Sequence, residues 1–277
     1  MKEVFKSDNK PCTLVLNVAT RKAESICVIV SDFNNPDTMY TNRHMTVNGE
    51  QNFHIRMPQT PVYCQFQVFN RSNGDLRAGR DTSFALLDRK VIPLNSKLPI
   101  KEWKNPVVKS FVKLAQEFSE RASKLSAGGS VYKSDDGNFT IVYYNDIQDT
   151  DANGRIRILK TPSRVSDTTG IIEVSKNRFK TFTVPMRMAI LLHEFSHFYM
   201  NKNMRDEIEA DMNALLIYLG LGYPRVEAMI AFTKVFANSE VNKPQADNNS
   251  QLNKDRTNKI MEFIGNFEKQ PFMINYV

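Results

Sequence analysis

The sequence predicts an α+β fold in which a small β-sandwich precedes a domain of mixed sheet and helices. Three observations carry this reading. Short β-branched and aromatic runs separated by turns fill the first 95 or so residues. Helical periodicity takes over at Asn105-Pro106, and a helical segment bearing two histidines follows near Pro185. A chain of 277 residues can build two cores. Its 41% hydrophobic and 24% charged content is ordinary for a globular protein, so function must be read from local motifs.

Residues 1–95 are expected to form an adaptor-like β domain. Residues 13–18, 26–31, 45–47, 53–57, 62–69 and 84–87 are rich in strand formers, and Asn48-Gly49 and Asn73-Gly74 supply turn residues that tolerate positive φ. Strands at that spacing suggest a sandwich. Residues 93–104, with two prolines, read as the linker, and the single Trp103 as an anchor at the junction.

Residues 105–277 read as the second domain. Pro106 suits a first helical position, and Val108, Phe111, Val112, Ala115, Phe118, Ala122 and Leu125 recur at helical spacing until Gly128-Gly129. Strands are expected at 139–144, 155–159 and 170–174, then helices at about 185–200 and 206–219, the latter stopped by Gly220 and Gly222. Two more helices are expected at 224–237 and 251–269, with the Asn-, Gln- and Ser-rich stretch 238–255 as a loop.

The 37 basic and 30 acidic residues give a net charge of +7, spread along the chain without an arginine-rich block. No nucleic-acid arm is indicated. The start lacks the apolar run of a signal peptide and no segment is apolar enough for a bilayer, so the expectation is a cytoplasmic protein without a membrane anchor. Cys12, Cys27 and Cys64 lack CxxC spacing and read as reduced, buried thiols.

The chemistry concentrates in His193-Glu194-Phe195-Ser196-His197. A helix advances ~100° per residue, so His193 and His197 project from one face and can share one tetrahedral zinc ion. Glu194 points into the neighbouring space, where it can serve as general base toward a water activated by the metal. Farther along, Glu207 and Asp211 are also four apart, within Asp206-Glu207-Ile208-Glu209-Ala210-Asp211. If that helix folds back on the first, Glu207 supplies a third ligand and Asp211 accepts an imidazole N–H. A closed structural zinc site would more often use cysteine, and none is near.

HExxH followed by ExxAD resembles the gluzincin group of zincin metallopeptidases. The resemblance implies a zincin-like domain over residues 105–277, with His193, His197 and Glu207 as zinc ligands, Glu194 as base, and Asp211 orienting a histidine. Only nine residues separate His197 from Glu207, fewer than in the best-known gluzincins, which leaves Glu209 and Asp206 open as third ligands. The resemblance further implies an edge strand upstream of the active-site helix that binds substrate by β-augmentation, a role expected of residues 170–174. It also implies an oxyanion stabiliser, for which Tyr199, Tyr223 and Arg256 are candidates.

Asp149-Thr150-Asp151-Ala152-Asn153-Gly154 resembles half of an EF-hand loop, but Lys160 stands where the bidentate glutamate belongs. An acidic hairpin turn accounts for the same residues. Two function classes follow. One is a zinc endopeptidase acting on a peptide or protein. The other is an assembly protein, such as a bacteriophage virion component, whose metallopeptidase-like domain is a scaffold or processes only itself or a neighbour. In either, the β domain and the apolar tail 271–277 are the expected protein-docking parts. A repressor-cleaving peptidase with a helix-turn-helix is disfavoured, because the N-terminal region is β-rich.

Overall fold

The computed structural model describes residues 1–71, 83–94, 100–151, 153–236 and 246–269. The chain is a mixture of α and β built as two compact units. The first comprises Met1–Lys97 with Gly222–Pro224; the second comprises Leu98–Leu221 and the chain from Arg225 onward. The Asn73-Gly74 turn and the 271–277 tail lie outside the described residues.

The first unit is an antiparallel sheet of β1 (Lys2–Lys6), β2 (Cys12–Asp32), β3 (Met39–Met57), β4 (Tyr63–Asn70) and β5 (Phe84–Pro93), in the order β1-β4-β2-β3 with β5 also on β2. Leu14, Leu16 and Val18, then Ile26, Val28 and Val30, are all buried, the alternation of a strand with one face in the core. Two corrections to the expected sandwich follow. The 13–18 and 26–31 runs are one strand, and Asn48-Gly49 lies inside β3 instead of closing a hairpin. Both have one cause: the β2–β3 register shifts between Thr20 and Glu24, opposite Gly49 at φ +80°. A bulge shifts the register of a strand without ending it, so the five described strands of this unit form one hydrogen-bonded sheet.

In the second unit a four-stranded sheet runs in the order β10-β11-β7-β6, with β6 (Ser130–Lys133), β7 (Thr140–Tyr144), β10 (Ser163–Val165) and β11 (Ile172–Ser175). β11 is parallel to β7 and antiparallel to β10. Of the residues 170–174 expected to form a substrate-binding edge, Ile172–Val174 are therefore paired on both sides. The outer strand on the β11 side is β10, with β6 at the other edge; β10 is not evident in the sequence because three residues carry no periodicity. Strands β8 (Gln148–Thr150) and β9 (Ile156–Ile158) pair antiparallel, with Asp149 paired to Arg157 at 3.0 Å and Asp151 accepting from the N–H of Asn153 and Arg155. The hairpin alternative describes this segment.

Helix α1 (Pro106–Arg121) and helix α3 (Val184–Tyr199) pack against this sheet, α2 (Lys176–Phe179) being a single turn. Asn105 and Thr183 cap the longer two, each with a proline at the first helical positions. Phe195 stacks on Phe111 at 4.3 Å between ring centres and on Tyr199 at 5.1 Å, while Phe139 meets both Phe195 and Tyr199 edge-on. This aromatic cluster fixes one face of α3. Arg187, fully buried, donates to the carbonyls of Ser119, Phe179 and Lys180, which lie at or near the ends of α1 and α2 where carbonyl acceptors are left over. Helices α4 (Glu207–Gly220), α5 (Arg225–Ile230), a π-helical stretch (Ala231–Phe236) and α6 (Ala246–Glu268) complete the unit. Residues 246–250, expected in a loop, belong to α6, which begins before the helix expected at 251–269. No helix among the described residues is long and apolar enough to cross a membrane.

The β10–β11 hairpin closes over the end of α3 at Gly170, whose φ is +67°. A Cβ there would lie 2.7 Å from the Tyr199 hydroxyl and 2.9 Å from the Phe198 ring. Gly170→Ala should cost ~1–3 kcal/mol in chemical denaturation, through backbone strain and overpacking together. Gly154→Ala, with nothing within 4 Å, should lose only the conformational penalty, ~1–2 kcal/mol or less.

Candidate metal centre

The face of α3 opposite the aromatic cluster carries His193 and His197, both largely buried. Their rings stand at 90°, and their Nε2 atoms approach to 2.9 Å. Each ring is held from behind. The Nδ1 of His193 lies 2.9 Å from Asp211 Oδ1, and the Nδ1 of His197 donates to the Met204 carbonyl at 2.7 Å. With Nδ1 of each ring turned to an acceptor, both Nε2 atoms face one spot, and the proton that His193 holds there is the one a metal would displace.

The third group arrives from α4. Asp206 is the N-cap of that helix, its carboxylate accepting from the N–H of Ile208 and Glu209. Glu209 turns outward and accepts from the backbone N–H of Lys202 and Asn203. Both alternative ligands are thus occupied with closing the α3–α4 connection. Glu207 alone of the three turns inward, with Oε2 at 3.4 Å from His193 Nε2 and 3.7 Å from His197 Nε2. The short spacing after His197 is accommodated because the connection needs only one tight turn.

Zinc with bonds of 2.0–2.1 Å needs tetrahedral ligand atoms about 3.3 Å apart. The three separations, 2.9, 3.4 and 3.7 Å, bracket that value, so the donor set fits a zinc ion by size and by chemistry. Among the described residues this is the one cluster of three such donors.

Charge is balanced around the cluster by Arg256, from α6. Its Nε and Nη2 grip Asp211 at 2.9 and 3.0 Å, and Nη2 lies 3.3 Å from Glu207 Oε2. Burial pushes the His193 pKa down, but the Asp211 and Glu207 carboxylates overcome this and hold it well above the ordinary imidazole range. Burial likewise pushes Glu207 up, and His193, His197 and Arg256 outweigh it, holding the carboxyl well below its usual range. The site therefore favours a cation, whether proton or metal.

Glu194 follows the first histidine and is buried. Its Oε1 accepts from Ser163 Oγ at 2.7 Å, a contact from β10 to α3. Ser163 was not legible in the sequence, since nothing marks a serine 31 residues away as a neighbour. The candidate oxyanion donors each have partners of their own. Tyr199 is on the aromatic face of α3, and Tyr223, grouped with the first unit, donates to Gln59 at 2.9 Å. Arg256 is beside the site but holds its carboxylates; a signal for this was its spacing with Ile260, Ile264 and Phe267, the buried stripe of α6.

Purified protein should bind about one zinc per chain and lose it in His193→Ala, measured by metal analysis after dialysis. Zinc must displace the proton held on His193, so affinity measured by chelator competition should weaken as pH falls, with proton release on loading. Comparison with known proteins finds no matching family model, no similar curated protein and no similar solved structure.

Proposed function

We propose that the second unit is a zinc-dependent endopeptidase of zincin type. The observation that carries the reading is the convergence of His193, His197 and Glu207 on one point, with the Glu194 carboxylate on the next residue of the same helix. When bound there, zinc supplies Lewis acidity that polarises a peptide carbonyl and makes water nucleophilic near neutral pH.

The chain's own residues do the rest. Ser163 occupies Oε1 of Glu194, which leaves Oε2 to take the proton of the attacking water and return it to the departing amine nitrogen. Asp211 and the Met204 carbonyl keep the two imidazoles in the ligating tautomer throughout. Among the described residues β10 pairs only with β11, so its outer edge is where a substrate strand would add, in place of residues 170–174. Ser163 then ties that strand to the base.

Glu194→Gln is the direct test, because it keeps the shape and removes proton acceptance. Wild-type protein loaded with zinc should cut unfolded casein or its own chain. The variant should retain zinc and lose at least ~100-fold in rate, the usual worth of a general base. Equal cleavage by both proteins would sink the mechanism. Zinc retained by both, with no cleavage by either across a broad peptide library, would instead favour a scaffold carrying a metallopeptidase-like site.

A further inference from the structure

We infer that Arg256 is a positioning residue for the metal ligands, so that zinc affinity depends on docking of the C-terminal helix α6. The inference rests on the proposed metal site. It goes beyond it by assigning a residue 45 positions from Asp211 to the same centre.

The geometry is a relay. Arg256 is 4% exposed and Asp211 is 0% exposed. The guanidinium meets both Asp211 oxygens, at 2.9 and 3.0 Å, in the forked arrangement that fixes a carboxylate in angle as well as distance. Asp211 Oδ1, held by Nη2, is the oxygen 2.9 Å from His193 Nδ1. The same Nη2 lies 3.3 Å from Glu207 Oε2, the atom that faces both imidazoles. One side chain therefore sets the direction of one histidine and one carboxylate of the ligand set. It belongs to a helix among whose described residues Ile260, Ile264 and Phe267 are also buried, in the same unit. Seating α6 and orienting the ligands are one event.

Two effects of Arg256 oppose each other. A cation near the site repels a divalent metal, whereas removing it leaves a fully buried carboxylate without its fork. The second effect governs. Forked to Asp211, Arg256 forms a nearly neutral pair as seen from the metal position, so its repulsion is largely cancelled. A buried carboxylate stripped of its partner does not keep its orientation and turns toward whatever donor or water it can reach. Loss of an outer partner of this kind typically weakens metal binding by about 10–100-fold.

The experiment uses the full chain and zinc alone, titrated against a chromophoric chelator, with the absorption spectrum of the cobalt form as a second readout. Arg256→Met should weaken zinc about 10–100-fold and alter the cobalt spectrum. Arg256→Lys keeps the charge without the fork and should fall between the two; it also serves if the methionine variant does not fold. Zinc should slow amide exchange across α6 in the wild type, and less so in Arg256→Lys. A merely structural ion pair would lower the melting temperature while leaving zinc affinity and the cobalt spectrum as in the wild type; that result, or tighter binding by either variant, overturns the inference. If the wild type takes up no zinc, or His193→Ala still does, the metal site itself is wrong and the inference falls with it.

Discussion

Two imidazoles on one helix can face a common point only if neither ring is free to turn, and the second unit is organised around that requirement. The four-residue spacing brings His193 and His197 to the same face of α3, but spacing alone leaves the side-chain torsions open. Closure comes from two acceptors that arrive from outside α3: the Asp211 carboxylate on α4 and the Met204 carbonyl in the connection between the helices. Each lies against an Nδ1 and so decides which nitrogen faces inward. The opposite face of α3 is committed to aromatic packing through Phe195 and Tyr199, which denies the helix any rotation about its axis. One helix thus has its two faces fixed by two different kinds of force, dispersion and apolar burial behind, directed hydrogen bonds in front.

The cost of assembling carboxylates in a buried place decides the remaining architecture. Asp211 and Glu194 are buried beside the two histidines, Asp211 without solvent contact, while Glu207 is partly exposed. Breaking a buried ion pair of this type typically costs ~3–5 kcal/mol, whereas exposed pairs on the same molecule, such as Lys6 with Asp8, are screened by water. That asymmetry explains why a C-terminal helix with a largely polar surface is retained against α4: it delivers Arg256 where a cation is needed. Ser163 plays a smaller version of the same part for Glu194, satisfying one oxygen of a buried carboxylate with a neutral donor and leaving the other available.

The strand beside the site follows from the same packing. Gly170 lets the β10–β11 hairpin fold against the end of α3, which seats Ser163 over Glu194 and leaves β10 as an outer strand. A side chain at Gly170 would press on Tyr199 and Phe198, so the hairpin geometry and the base are mechanically connected through one residue without a Cβ. The first unit shows a parallel economy: a register shift at Thr20–Glu24 leaves a 21-residue strand unbroken.

Periodicity of 3.6 and its consequences were readable from residues alone. His193, Glu194 and His197 on one helix, Glu207 and Asp211 on the next, the helix starts at Pro106 and near Pro185, and the α+β character all follow from local spacing and local propensity. What local spacing does not encode is which elements meet. Glu207 rather than Glu209 or Asp206 turns inward because the α3–α4 turn uses the other two as backbone acceptors. Tyr199 falls on the aromatic face, residues 172–174 are interior to their sheet, and residues 246–250 extend α6, which contacts α4 and α5. Ser163 and Arg256 reach the centre from 31 and 45 residues away from their partners. A carboxylate advertises in sequence that it needs a donor; only the folded chain, through the long-range burial that brings strands and helices together, determines which donor it receives.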